Sequence, residues 1–125
     1  MEISYNTLIM GEVKEEDLKR YIESTNDPID WELISMYAVL SEDFIRKYQN
    51  KLNWTTLSIC QMLSEEFIDE FSDKVNWRYI VSCQHISESF VKTHMDKISP
   101  YLKDLTPNPH ISESFAEKIR MIYNS

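Results

Sequence analysis

The side chains best equipped for chemistry in this chain are three histidines, His85, His94 and His110, and two cysteines, Cys60 and Cys83. Imidazole nitrogen and thiolate sulfur are zinc ligands, and Cys83-x-His85 is a short chelating spacing. A structural zinc requires four ligands converging tetrahedrally, and no repeated Cys-x-x-Cys pair supplies them. Cys60 and Cys83 occupy equivalent places in a repeated helical stripe, where cysteine commonly acts as a small buried hydrophobe. The expectation is no metal and no cofactor. Carboxylates gather at Glu65, Glu66, Asp69 and Glu70, and a carboxylate pair can perform acid and base catalysis. They lie between the apolar positions of one helix, so a solvated face accounts for them. There is no Gly-rich phosphate loop, no Gly-x-Ser-x-Gly turn, and no Cys, His and acid set with a recognisable motif. The chain therefore reads as non-enzymatic. Trp31, Trp54 and Trp77 have the ring area to stack on bases. Each directly follows a helix cap, in register with the apolar stripe, which makes them packing residues between repeats.

The elements that position these side chains come from an internal repeat. Leu40-Ser-Glu-Asp-Phe44-Ile45 returns as Leu63-Ser-Glu-Glu-Phe67-Ile68, as Ile86-Ser-Glu-Ser-Phe90-Val91 and as Ile111-Ser-Glu-Ser-Phe115-Ala116. A second signature, Leu52-Asn53-Trp54 with Leu57, Cys60 and Gln61, is matched 23 residues later by Val75-Asn76-Trp77 with Ile80, Cys83 and Gln84. A divergent copy precedes them, with Leu18, Tyr21, Ile29, Asp30, Trp31, Ile34 and Tyr37. Ser41, Ser64, Ser87 and Ser112 stand where helix N-caps belong, followed by acids that complement the positive helix end. Phe44 with Tyr48, and Phe67 with Phe71, are four apart and share one face. Asp30, Asn53 and Asn76 cap a second helix whose apolar residues recur every three positions.

Each unit is thus a hairpin of two helices of about ten residues or fewer, a length marginal alone in water. Stacking repeats bury one another's stripes. The predicted fold is all-α, a short solenoid of about five stacked helical hairpins on a 23-residue repeat, filling residues 1–125 as one domain. Residues 13–39 form the divergent repeat, 40–62 and 63–85 the regular ones, 86–110 an irregular one, and 111–125 a C-terminal cap helix. Pro100, Pro107 and Pro109 should break or shorten the second helix of the irregular repeat.

The formal charge is −8, from 13 basic and 21 acidic residues. Residues 1–39 hold nine acids against three bases, while residues 86–125 balance. No direct binding to nucleic acid is expected, because it needs a basic face to release counterions. No run of 18 apolar residues occurs, so no membrane span is expected. The opening Met-Glu-Ile-Ser-Tyr lacks the regions of a signal peptide, and two cysteines make no disulfide framework. These point to a cytoplasmic protein.

The unit Leu-Ser-Glu-x-Phe-Ile, followed by Asn-Trp-x-x-Ile, resembles short helical-hairpin repeats in mostly uncharacterised proteins of bacteriophages and large DNA viruses, over roughly residues 13–123. The resemblance implies a phage or viral accessory protein, acting in the host cytoplasm, that binds and inhibits a host protein. An anti-defence role such as anti-CRISPR is one form of this. It carries over no binding residue.

Caps and stripes are constrained by stacking, so specialisation is expected where repeats differ. On the second helices these positions are Glu32 and Leu33, Thr55 and Thr56, Arg78 and Tyr79, with Ser35, Ser58 and Val81 one turn on. They are predicted to line one partner-binding surface, with Arg78 and Tyr79 the residue types commonest at hot spots. A second hypothesis is an acidic nucleic-acid mimic that blocks a basic channel, using Glu12, Glu15, Glu16, Asp17, Asp27 and Asp30. A third is a homo-oligomeric structural protein.

Overall fold

Ser41, Ser64, Ser87 and Ser112 each end a stretch of non-helical chain and start a helix in the computed structural model, which describes residues 13–123. Their hydroxyls accept hydrogen bonds from the N–H of Phe44, Phe67, Phe90 and Phe115 at 3.0–3.1 Å. Such caps satisfy donors that a helix leaves unpaired at its start. Asp30 and Asn53 cap the second helices in the same way, accepting from Leu33 and Thr56. Asn76 holds its N-cap place through its carbonyl, which accepts from Ile80 N–H.

The helices are α1 (Glu15–Ser24), α2 (Trp31–Tyr37), α3 (Glu42–Lys47), α4 (Trp54–Cys60), α5 (Glu65–Glu70), α6 (Trp77–Cys83), α7 (Glu88–Thr93), α8 (Met95–Ile98), a 3-10 helix (Ser99–Leu105) and α9 (Glu113–Tyr123). No strand occurs among the described residues. The chain divides into two compact units, Met1–Gln61 and Met62–Ser125. The fold class is the all-helical repeat that the 23-residue register predicts, with successive repeats laying helices against each other inside each unit.

In the first unit α2 packs along α4. Its core includes Leu18, Ile34, Phe44, Ile45 and Leu57, all essentially without solvent exposure. The predicted aromatic pair forms, with the Phe44 and Tyr48 rings 4.7 Å apart, and Trp31 of the preceding repeat lies 5.4 Å from Tyr48. In the second unit Phe67 and Phe71 repeat that pair at 4.7 Å, and Trp77 stacks on Phe90 and His94 at 6.1 and 5.7 Å. Trp77 is buried as expected, whereas Trp31 and Trp54 are only half-buried. Both Trp54 and Trp77 donate Nε1–H to a carbonyl five residues upstream, Gln49 at 2.8 Å and Ser72 at 2.9 Å. An indole needs a partner for that donor when it leaves water. The turn between the two helices supplies one.

Polar side chains join consecutive repeats by a recurring set of clasps. Gln61 is buried; its carbonyl oxygen accepts from Leu40 N–H at 3.3 Å, and its amide donates to the carbonyls of Ser35 and Ala38 at 3.1 and 2.7 Å. Gln84, its equivalent in the second unit, accepts from Leu63 N–H at 3.1 Å. These bonds satisfy backbone groups at the end of one repeat's second helix and in the link leading to the next repeat. Glu15 and Glu65, at the first position of their helices, each grip the next repeat's capping serine. Glu15 accepts from Ser41 N–H and Oγ, and Glu65 from Ser87 N–H and Oγ. Glu65 is thus a structural group, and the solvated-face reading of it is corrected.

The irregular repeat departs as its prolines predict. Its second helix is replaced by four residues of α8 and the 3-10 helix that begins Ser99-Pro100, which packs on α6, α8 and α9. The glutamine of the regular repeats becomes Asn108. It is buried, and its amide reaches the carbonyls of Val81 and Gln84 at 2.7 and 2.9 Å. A shorter side chain does the same task because the backbone there has lost its regular second helix.

Candidate functional site

The predicted partner-binding positions fall on the first turns of α2, α4 and α6, and most of them are used inside the fold. In the first unit the Glu32 carboxylate accepts from Asn53 Nδ2 at 2.5 Å and from Thr56 Oγ1 at 2.7 Å. Thr56 is buried, which removes it from any surface. Leu33 is half-buried and Thr55 is exposed. Ser35, Ser58 and Val81, expected one turn on along the same surface, are instead fully buried. The cause is visible at Ser35, whose hydroxyl donates to the Trp31 carbonyl at 2.7 Å and accepts from Asn53 N–H at 3.0 Å, tying two repeats together. Ser58 donates to the Trp54 carbonyl in the same way.

In the second unit Arg78 is exposed and Tyr79 half-buried. Arg78 Nε lies 3.6 Å from Asp104 Oδ2 of the next repeat, an oxygen that is buried without a hydrogen bond. The fold therefore has its own reason for a cation at position 78, contrary to the expectation that stacking demands none. Arg78→Thr is expected to lower stability by about 1 kcal/mol, the modest value of a pair whose cation remains in solvent. Asp104→Asn should remove most of that penalty in a double-mutant cycle read by urea denaturation, and strictly additive losses would count against the pair.

The acids of the proposed mimic are likewise drawn into local structure. Glu15 holds Ser41, Asp17 pairs with Arg20 at 3.7 Å, and Asp30 caps α2. Glu16 and Asp27 are exposed, and Glu12 lies outside the described residues. A cavity of ≈ 260 Å³ is lined by Asp17, Arg20, Tyr21 and Ser24. Nearby charge is also paired. The Lys47 amine is held above its ordinary pKa, first by its hydrogen bond to Glu23 and then by Tyr48.

The cysteines and histidines are placed as follows. Cys60 and Cys83 are exposed, which corrects their reading as buried stripe residues. Each is the last residue of its helix, so the chain turns there and the following Gln61 or Gln84 takes the inward place. Among the described residues no three of His, Cys, Asp and Glu converge on a metal position. His85 and His110 stack at 4.1 Å with planes 13° apart. His94 Nδ1 lies 3.0 Å from the Phe90 carbonyl and Nε2 lies 2.9 Å from Asp69 Oδ1.

Four large apolar side chains are left exposed at equivalent places in the first two repeats. Met36 on α2 and Ile59 on α4 are 39% and 44% exposed, and they are 23 residues apart. Val39, in the link after α2, is 86% exposed, and its equivalent Met62 at the start of the second unit is 91% exposed. The helical period explains the first pair, which lies two residues beyond buried Ile34 and Leu57, about 200° around the helix from the core. An extended link explains the second pair, since Val39 sits between buried Ala38 and Leu40, and Met62 between buried Gln61 and Leu63. The reading from repeat differences passed over these positions because their side chains are alike in consecutive repeats. A count of apolar residues off the buried stripe would have found them. Met121, Ile122 and Tyr123 are exposed as well, in the last turn of α9. Compared with protein-family models, with curated proteins and with solved structures, the chain matches none of them.

Proposed function

We propose that this protein is a non-enzymatic helical-repeat module that works by binding another protein. The observation that carries this reading is the exposed apolar series at one repeat register, Met36 with Ile59 and Val39 with Met62. The first two repeats keep large apolar side chains in water there, where caps, stripe and clasps have no use for them, and such exposure marks contact surfaces. The resemblance of the repeat to those of phage and viral proteins makes a host protein the favoured target, defence nucleases included. The acidic-mimic reading is weaker, because Glu15, Asp17 and Asp30 are engaged by Ser41, Arg20 and the α2 backbone.

The test is affinity capture on the immobilised full chain from a host lysate, mass-spectrometric identification, and reconstitution from two purified components. A single partner that binds the purified chain with saturable stoichiometry is the expected result. Solution mass that grows with concentration and no captured partner would instead make the chain a homo-oligomer.

A further inference from the structure

We infer that the edge of the first unit formed by Met36, Val39 and Ile59 receives one short, uncharged apolar segment of a partner protein, an inference that rests on the protein-binding reading above. Two observations select this occupant. The first is area. Val39 is 86% exposed, Ile59 44% and Met36 39%, together on the order of 300 Å², whereas a stable interface between folded proteins buries about 800 Å² on each side. A second copy of the chain would need far more surface than this edge offers, while a peptide anchored by a few apolar side chains needs no more. The second is charge. Residues 33–41 and 52–61, which carry the edge, contain no Asp, Glu, Lys or Arg, although 27% of the chain is charged. The nearest carboxylates, Glu15 and Glu32, are already engaged by Ser41 and by Asn53 and Thr56, so a charged segment would lose water there and find no group of its own to pair with. An apolar one loses nothing, and helix-in-groove recognition reads such anchors at spacings of three or four residues.

The experiment selects phage-displayed random peptides of about twelve residues on the full chain, then measures the winners as synthetic peptides by fluorescence anisotropy. The expected winners carry uncharged apolar anchors three or four residues apart. They should bind Val39→Glu at least about tenfold more weakly and bind Glu16→Gln as they bind wild type, all with unchanged melting temperature. Should Val39→Glu melt early, Val39→Asn serves in its place and is expected to give the same loss. Three results would overturn the inference: no enriched peptide, enriched peptides that ignore Val39→Glu, or a dimer in sedimentation that Val39→Glu dissolves. A captured protein partner that binds wild type and Val39→Glu equally would also overturn this edge, while leaving protein binding itself intact.

Discussion

Gln61→Ala is expected to lower folding stability by about 3–4 kcal/mol, more than a polar side chain in a small helical protein usually commands. The reason is what the amide leaves behind. One side chain satisfies Leu40 N–H and the carbonyls of Ser35 and Ala38. A buried backbone group deprived of its partner costs about 1–3 kcal/mol, and water entering the vacated space recovers part of the loss. Urea denaturation followed by far-ultraviolet circular dichroism reads the effect. Gln61→Asn should cost roughly half as much, because it keeps the amide and loses only reach. A Gln61→Ala variant as stable as wild type would show that the three bonds contribute nothing net, and the clasp account would fail.

Trp77→Ala is expected to cost about 3–5 kcal/mol, the range for deleting a buried aromatic. Trp77 is 8% exposed, stacks on Phe90 and His94, and donates to the Ser72 carbonyl. Trp54 makes the equivalent hydrogen bond to Gln49 but is only half-buried, so Trp54→Ala should cost less, about 2 kcal/mol. Trp77→Phe separates the two contributions: it keeps most of the ring packing and loses the hydrogen bond, for a cost of about 1 kcal/mol. Equal losses for the two tryptophan-to-alanine variants would mean that burial does not decide their roles.

The parts of this structure legible in the sequence are those set by local chemistry. A serine followed three residues later by phenylalanine specifies its own cap, and Phe44 with Tyr48 specifies its own face, so both were readable without knowing the neighbouring repeat. What escaped depends on the neighbour. Gln61 and Gln84 were visible as a matched pair, but their task depends on where the preceding helix ends. Glu65 looked like one more solvent acid, because nothing in residues 63–70 reveals that Ser87 lies within its reach. Cys60 was misplaced because it ends its helix, where the chain turns and the following Gln61 takes the inward place. The same limit explains the partner-binding positions. Differences between repeats at Glu32 and Arg78 pointed to recognition, yet each side chain meets a group in the following repeat, Thr56 and Asn53 in one case and Asp104 in the other. Variation there tracks which repeat follows which. The exposed apolar residues are alike in the first two copies, Met36 with Ile59 and Val39 with Met62, and so attracted no notice, while Ser82 and His85 take their places in the third.

The central claim is that this chain binds a protein through apolar surface rather than through its negative charge, and ionic strength separates the two directly. Affinity for the reconstituted partner should be measured by calorimetry between about 0.05 and 0.5 M sodium chloride, a range over which screening shrinks the reach of exposed charges severalfold. The account predicts a dissociation constant that changes by no more than about twofold, because burial of apolar side chains is little affected by salt in this range. A loss of about a hundredfold or more would contradict it and would put the acidic N-terminal third in control of recognition.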